Sequence, residues 1–179
     1  MRKLMKTLLS AVVFFICMLA AASCVTDDDK VTSLEAGDAV PVFSVTMNDG
    51  SVVTSESLRG YRTLIVFFNT GCADCRRELP VIQKVYEKAP ADARIVCIAR
   101  EENETSIAAF WASAGLTMPY SAQPDRKVYS LFASIIIPRI YAVDENLIIM
   151  DAFSDKGMPT EAILLNFLEG EDSDSKRQS

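Results

Sequence analysis

Five consecutive apolar residues, Leu64-Ile65-Val66-Phe67-Phe68, constrain the fold of this chain more than any other stretch. An unbroken run of that kind, closed by turn-forming residues, suits a strand covered on both faces. Ile95-Val96-Cys97-Ile98-Ala99 repeats the pattern, and between the two runs Leu79, Ile82, Val85 and Tyr86 recur at helical spacing. Two doubly covered strands joined by a helix make a βαβ unit. Ahead of it, Val42–Thr46 and Val52–Thr54 flank Asn48-Asp49-Gly50, and Asp-Gly between β-rich runs predicts a hairpin. Behind it, Asn103 is placed to cap a helix carrying Ile107, Phe110, Trp111 and Ala114, which Gly115 ends. A shorter helical segment holds Val128, Leu131 and Phe132, and strands Ile140–Val143 and Leu147–Ala152 follow as a hairpin around Asp144-Glu145-Asn146. Pro159-Thr160 opens a last helix, with Ile163, Leu164, Phe167 and Leu168 directed inward. The order predicts an α/β fold: a central mixed sheet flanked by helices, with an N-terminal β-hairpin and a helical insertion.

The chemistry-bearing residues lie where the first central strand hands over to the first helix, in Asn69-Thr70-Gly71-Cys72-Ala73-Asp74-Cys75-Arg76-Arg77-Glu78-Leu79-Pro80. Two cysteines three apart at such a junction read as a redox dithiol. One helical turn brings the sulfurs close enough to bond without unwinding the backbone. At a helix N-terminus, unpaired N–H groups and the dipole favour a thiolate. Cys72, nearest the helix end, is the expected exposed attacking thiolate, and Cys75, one turn in, the thiol that resolves a mixed disulfide. Asp74 disfavours a thiolate here while Arg76 and Arg77 favour one from further away.

From the hairpin to the last helix, about Gly37 to Glu169, the chain resembles the thioredoxin-fold proteins of the membrane-anchored TlpA/ResA-like group. The resemblance rests on the leading hairpin, Gly60 before the strand, the Cys72-x-x-Cys75 helix, the insertion containing Pro119, and Ile137-Pro138 ahead of the final hairpin. It implies a thioredoxin-like three-layer fold and a thiol–disulfide oxidoreductase without cofactor or metal. It also implies that Pro138 follows a cis peptide bond and faces the dithiol, with the backbone of Ile137 receiving the partner chain, and that Pro80 interrupts the active-site helix. Glu78, three residues past the second cysteine, matches a glutamate of that group and is the expected proton acceptor for Cys75; the alternative is a surface charge paired with an arginine. Gly71 stands where thioredoxins have tryptophan, and Val66 where they have a buried acid. A weakly stabilised thiolate, and Ile137 before the proline, favour a reductase. Arg139 either points into the groove or, as is commoner, extends to solvent.

Histidine is absent from all 179 residues, which excludes Ser-His-Asp and Cys-His hydrolysis, zincin sites and histidine proton relays. With 18 basic against 24 acidic side chains the net charge is −6, the wrong sign for nucleic acid. Arg2, Lys3 and Lys6 precede an apolar run from Leu8 to Ala22, shorter than the roughly 20 residues that span a bilayer. It closes on Ala21-Ala22-Ser23 before Cys24, which predicts a signal peptide over 1–23 and a lipoprotein-type anchor on Cys24, or an ordinary signal with a chance cysteine. Residues 24–36, with Asp27-Asp28-Asp29, read as an acidic tether that also resembles the surface-export signal of Bacteroidota lipoproteins; 37–169 form the domain and 170–179 a polar tail. The expected place is the cell envelope, periplasm-facing or on the outer-membrane surface. The expected partners are protein thiols and disulfides and an upstream electron donor, met by a monomer.

Other classes remain open. A peroxiredoxin shares this fold, but Asn69 stands where peroxidatic sites carry Thr or Ser, and an immediate Cys-x-x-Cys is unusual there. A zinc or copper module would lack ligands. A binding module that has lost catalysis would not need both cysteines and the Ile-Pro step. Cys97, mid-strand among apolar neighbours, reads as a core thiol.

Overall fold

A computed structural model of the chain describes residues 33–154 and 157–171. The expected signal segment, the Cys24 anchor and the acidic run at 27–29 lie outside the described residues, as does the tail beyond 171. Among the described residues no helix is long and apolar enough to cross a membrane.

Strand β3 (Thr63–Phe68) is buried at every position, as its unbroken apolar run requires. It pairs parallel with β4 (Arg94–Ala99) on one side and antiparallel with β6 (Arg139–Val143) on the other. The outer strands are β5 (Tyr120–Ser121), parallel to β4, and β7 (Ile149–Ser154), antiparallel to β6, so the sheet is mixed and ordered β5-β4-β3-β6-β7. The fold is thioredoxin-like. Alternation along β3 divides the core in two. Leu64, Val66 and Phe68 face helices α1 (Ala73–Lys88), α2 (Glu104–Ala114) and α4 (Glu161–Leu168) through Leu79, Ile82, Ile107, Trp111, Leu164 and Leu168. Ile65 and Phe67 face the hairpin β1–β2 (Ser44–Thr46 and Val52–Thr54) and helix α3 (Lys127–Ser130). There Phe67 meets the rings of Tyr129 at 5.4 Å and Phe132 at 4.9 Å.

Caps sit where their chemistry predicts. The Asn103 side chain accepts the Ser106 N–H, and Gly115 adopts φ +66° to close α2, a left-handed conformation that favours glycine. Several expected inward residues are not inward. Tyr86 is 38% exposed and Ile163 50%. In α4 Leu164 and Leu168 are buried and Leu165 and Phe167 pack partly buried against the same core, while Ile163, 100° around from Leu164, turns to solvent. The buried anchor of α3 is Tyr129, whereas Leu131 is exposed. Strand β5 was not expected: two residues show no periodicity, and Tyr120 and Ser121 pair with Cys97 and Ile98 just beyond Met118, whose carbonyl accepts from Trp111 Nε1 at 2.9 Å. The N-terminal segment already engages the domain at residues 33 and 34, where Ser33 bridges Ala133 and the Leu34 N–H donates to Phe132 O.

Candidate active site

Strand β3 delivers the chain to a short turn before α1, and that turn is held by its own polar groups. Asn69 Oδ1 accepts the Gly71 N–H at 2.8 Å, its Nδ2 donates to Arg100 O at 2.9 Å, and its carbonyl accepts the Cys72 N–H. The Thr70 N–H donates to Glu102 Oε2 at 2.7 Å, and its hydroxyl donates to the other carboxylate oxygen. Cys72 therefore falls at the N-cap of α1, with extended backbone and no capping bond from its side chain. Its carbonyl accepts the Arg76 N–H that starts the helix.

Both cysteines are free thiols with unlike surroundings. Cys72 is half-buried, and its thiol donates to the carbonyl of Ile137 at 3.7 Å. Cys75 is fully buried against the helix-side core. Burial pushes its thiol far above the ordinary range; a backbone hydrogen bond from Asn69 opposes this, Cys72 adds to it, and the charge of Arg100 opposes it again. The Ile137–Pro138 bond is cis. The structure thus brings Cys72, Cys75, Ile137 and Pro138 to one end of the sheet.

The charged residues of the motif divide differently from a simple sum of signs. Arg77 is bound to Asp74 at 2.6 Å, and Arg76 lies over the Phe110 ring at 5.5 Å. Glu78 is half-buried and its side chain, among the described residues, makes no hydrogen bond or ion pair. The arginine-paired alternative for Glu78 is not what the geometry shows. Pro80 lies within α1, where its missing N–H leaves the Arg76 carbonyl without its helical partner. Arg139 neither enters the groove nor extends to solvent. Its guanidinium folds over the Tyr141 ring at 5.6 Å and donates to Ser33 Oγ, on the face that carries Phe67. A strand residue paired with Phe67 must point to that face, which a reading of neighbours in sequence does not reveal. Cys97 is buried, its sulfur 3.8 Å from Met118 Sδ, and burial raises its thiol to about 12.

Two residues that the sequence reading missed complete the site. Arg100, whose side chain is 18% exposed, follows β4 and donates from Nη1 to Ile135 O at 2.6 Å. Tyr129 donates to Ile136 O at 2.8 Å. The available signal was positional: a charged residue at the carboxyl end of a parallel strand stands where open α/β sheets place their sites. Among the described residues, no three His, Cys, Asp or Glu side chains converge as a metal centre needs.

A family model described as AhpC/TSA matches residues 36–152. The thiol-disulfide oxidoreductase ResA of Oceanobacillus iheyensis is 28% identical over 144 residues, covering 78% of this chain and 71% of that protein. The thioredoxin-like protein YneN of Bacillus subtilis is 25% identical over 130 residues, covering 70% and 75%. A solution structure from Bacteroides thetaiotaomicron, named as a candidate protein disulfide isomerase, superposes with a TM-score of 0.67 at 29% identity, covering 77% of this chain and 95% of that one.

Proposed function

The chain belongs to the AhpC/TSA family, as an enzyme of the thioredoxin-like thiol–disulfide oxidoreductase kind, and we propose that it exchanges disulfides with protein partners through Cys72 and Cys75. The observation that carries this reading is the asymmetry of the pair: Cys72 at the helix cap, within 3.7 Å of the Ile137 carbonyl, and Cys75 buried one turn behind it.

In the forward cycle the Cys72 thiolate attacks one sulfur of a partner disulfide, forming a mixed disulfide and releasing the other partner sulfur as a thiolate that takes up a proton. Glu78 accepts the proton of Cys75, whose sulfur then attacks Cys72 Sγ. The second partner sulfur leaves and is protonated, so two electrons pass to the partner and the enzyme is left as the Cys72–Cys75 disulfide. Ile137 and Pro138 form the rim along which the partner's extended backbone lies. Ile137 before Pro138, which matches reducing thioredoxins, supports a reductase over an oxidase. An upstream donor of electrons then restores the dithiol. The basic and apolar segment ahead of Cys24 supports an extracytoplasmic site of action with lipid on Cys24. A peroxidase would need a hydroxyl near Cys72 at position 69, where the Asn69 amide is committed to Gly71 and Arg100.

The test is a Cys75→Ala variant produced with its leader in an envelope-bearing host. The expected result is a set of partners covalently held on Cys72, released by a thiol reductant and identified by mass spectrometry. A variant that captures nothing, together with a parent showing no reversible two-electron step on titration, overturns the reading.

A further inference from the structure

The segment that leads into Pro138 lacks the support that strands usually give one another. Ala133 ends the α3 turn by donating its N–H to Tyr129 O, and the next ladder residue is Arg139. Between them, three successive carbonyls point to three different groups. Ile135 O accepts from Arg100 Nη1 at 2.6 Å, Ile136 O accepts from Tyr129 Oη at 2.8 Å, and Ile137 O faces the Cys72 thiol at 3.7 Å. The two donors are themselves one unit, since the Arg100 guanidinium lies over the Tyr129 ring at 5.2 Å. Each is anchored by its own element. Tyr129 is 1% exposed and packs on Phe67. The Arg100 N–H donates to Phe68 O at 2.8 Å, and Arg100 O accepts from Asn69, so its backbone is tied to the turn that carries Cys72.

Resting on the oxidoreductase reading, we infer that Arg100 and Tyr129 are positioning residues that clamp the proline segment against the dithiol and so fix the rim on which a partner's backbone docks. Neither touches the reacting sulfurs; they act by holding Ile135 and Ile136 so that Ile137 stands opposite Cys72. A disulfide presented on an extended peptide needs that rim, whereas a small aromatic disulfide needs only the Cys72 sulfur. Loss of the clamp therefore separates the two substrates.

The test measures single-turnover oxidation of the reduced protein by a peptide with one internal disulfide and extended flanks, and by 5,5′-dithiobis(2-nitrobenzoate). Parent, Arg100→Met and Tyr129→Phe are compared well below their melting temperatures. Tyr129→Phe removes one oxygen and keeps the ring, so it stays folded should Arg100→Met not. The expected result is a loss of about tenfold towards the peptide in each variant, the scale set by leaving a carbonyl without its donor, with the rate of Tyr129→Phe, which removes no charge, towards the small disulfide within about twofold of the parent. Equal losses on both disulfides in Tyr129→Phe, or no loss on the peptide, overturn the clamp while leaving the oxidoreductase reading intact. A parent that reacts with neither overturns the oxidoreductase reading, and the clamp with it.

Discussion

One helical turn separates Cys72, at the helix cap, from Cys75, in the core. At the cap, backbone N–H groups are free to meet a thiolate; one turn in, burial holds the second thiol protonated. Such a pair works only if something takes the proton of Cys75 when the mixed disulfide is resolved. Glu78 is one turn further along the same helix, half-buried, and engaged by no arginine among the described residues, because Arg77 is taken by Asp74 and Arg76 by Phe110. Glu78→Gln keeps the shape and removes the base. It should slow resolution of a peptide mixed disulfide by about a hundredfold while leaving formation of that mixed disulfide on Cys72 unchanged, as read by acid-quenched mass spectrometry. Equal slowing of both steps, or no slowing, would remove Glu78 from the proton path.

Among the elements, those that could be read in advance were those whose signal is local. The doubly buried β3 and β4 show as unbroken apolar runs, and α2 is bracketed by Asn103 and Gly115. Asn103→Ala, which takes away the acceptor for Ser106 N–H, should cost about 1 kcal/mol and lower the melting temperature by a few degrees; an unchanged melt would show that the cap carries no weight. The junction of β3 and α1 was equally legible, since two cysteines three apart follow directly on a buried strand. The remainder depends on contacts between residues far apart in the chain. Strand β5 is two residues paired with Cys97 and Ile98, and nothing in Tyr120-Ser121 announces it. Arg139 was misread because its face is set by pairing with Phe67, seventy-odd residues earlier. Arg100 and Tyr129 went unnoticed for the same reason: their carbonyl acceptors lie on a loop that only the folded sheet brings alongside.

Taken as a whole, the molecule has an unusual distribution of titrating groups, and its stability should follow. With no histidine, no imidazole titrates between pH 6 and 8, and the carboxylates shifted by partners, such as Glu56 beside Arg59 and Glu101 beside Arg126, are lowered further from that range. The buried acids lie at the alkaline end. Burial raises the thiols of Cys75 and Cys97, the latter to about 12, and the phenols of Tyr129, Tyr141 and Tyr120, the last to about 12 with help from Glu104. Unfolding frees these groups to ionise near 9 for thiols and 10 for phenols, while in the folded chain they keep their protons. The unfolded state then binds fewer protons than the folded one, so stability falls as pH rises through that window, by about 1.4 kcal/mol per pH unit for each such group. The reduced protein should therefore melt at a constant temperature from pH 6 to 8, at lower temperatures above 9, and more steeply above 10 where the phenols join. Cys97→Ala should lessen the slope between pH 9 and 10 by one proton's worth, whatever it does to the melting temperature at pH 7. Closing the Cys72–Cys75 disulfide should lessen it by another, because Cys75 then has no proton to lose. Melts followed by circular dichroism across that range decide the matter: a slope that neither change reduces would mean that these two buried sulfurs do not govern the alkaline limit of the fold.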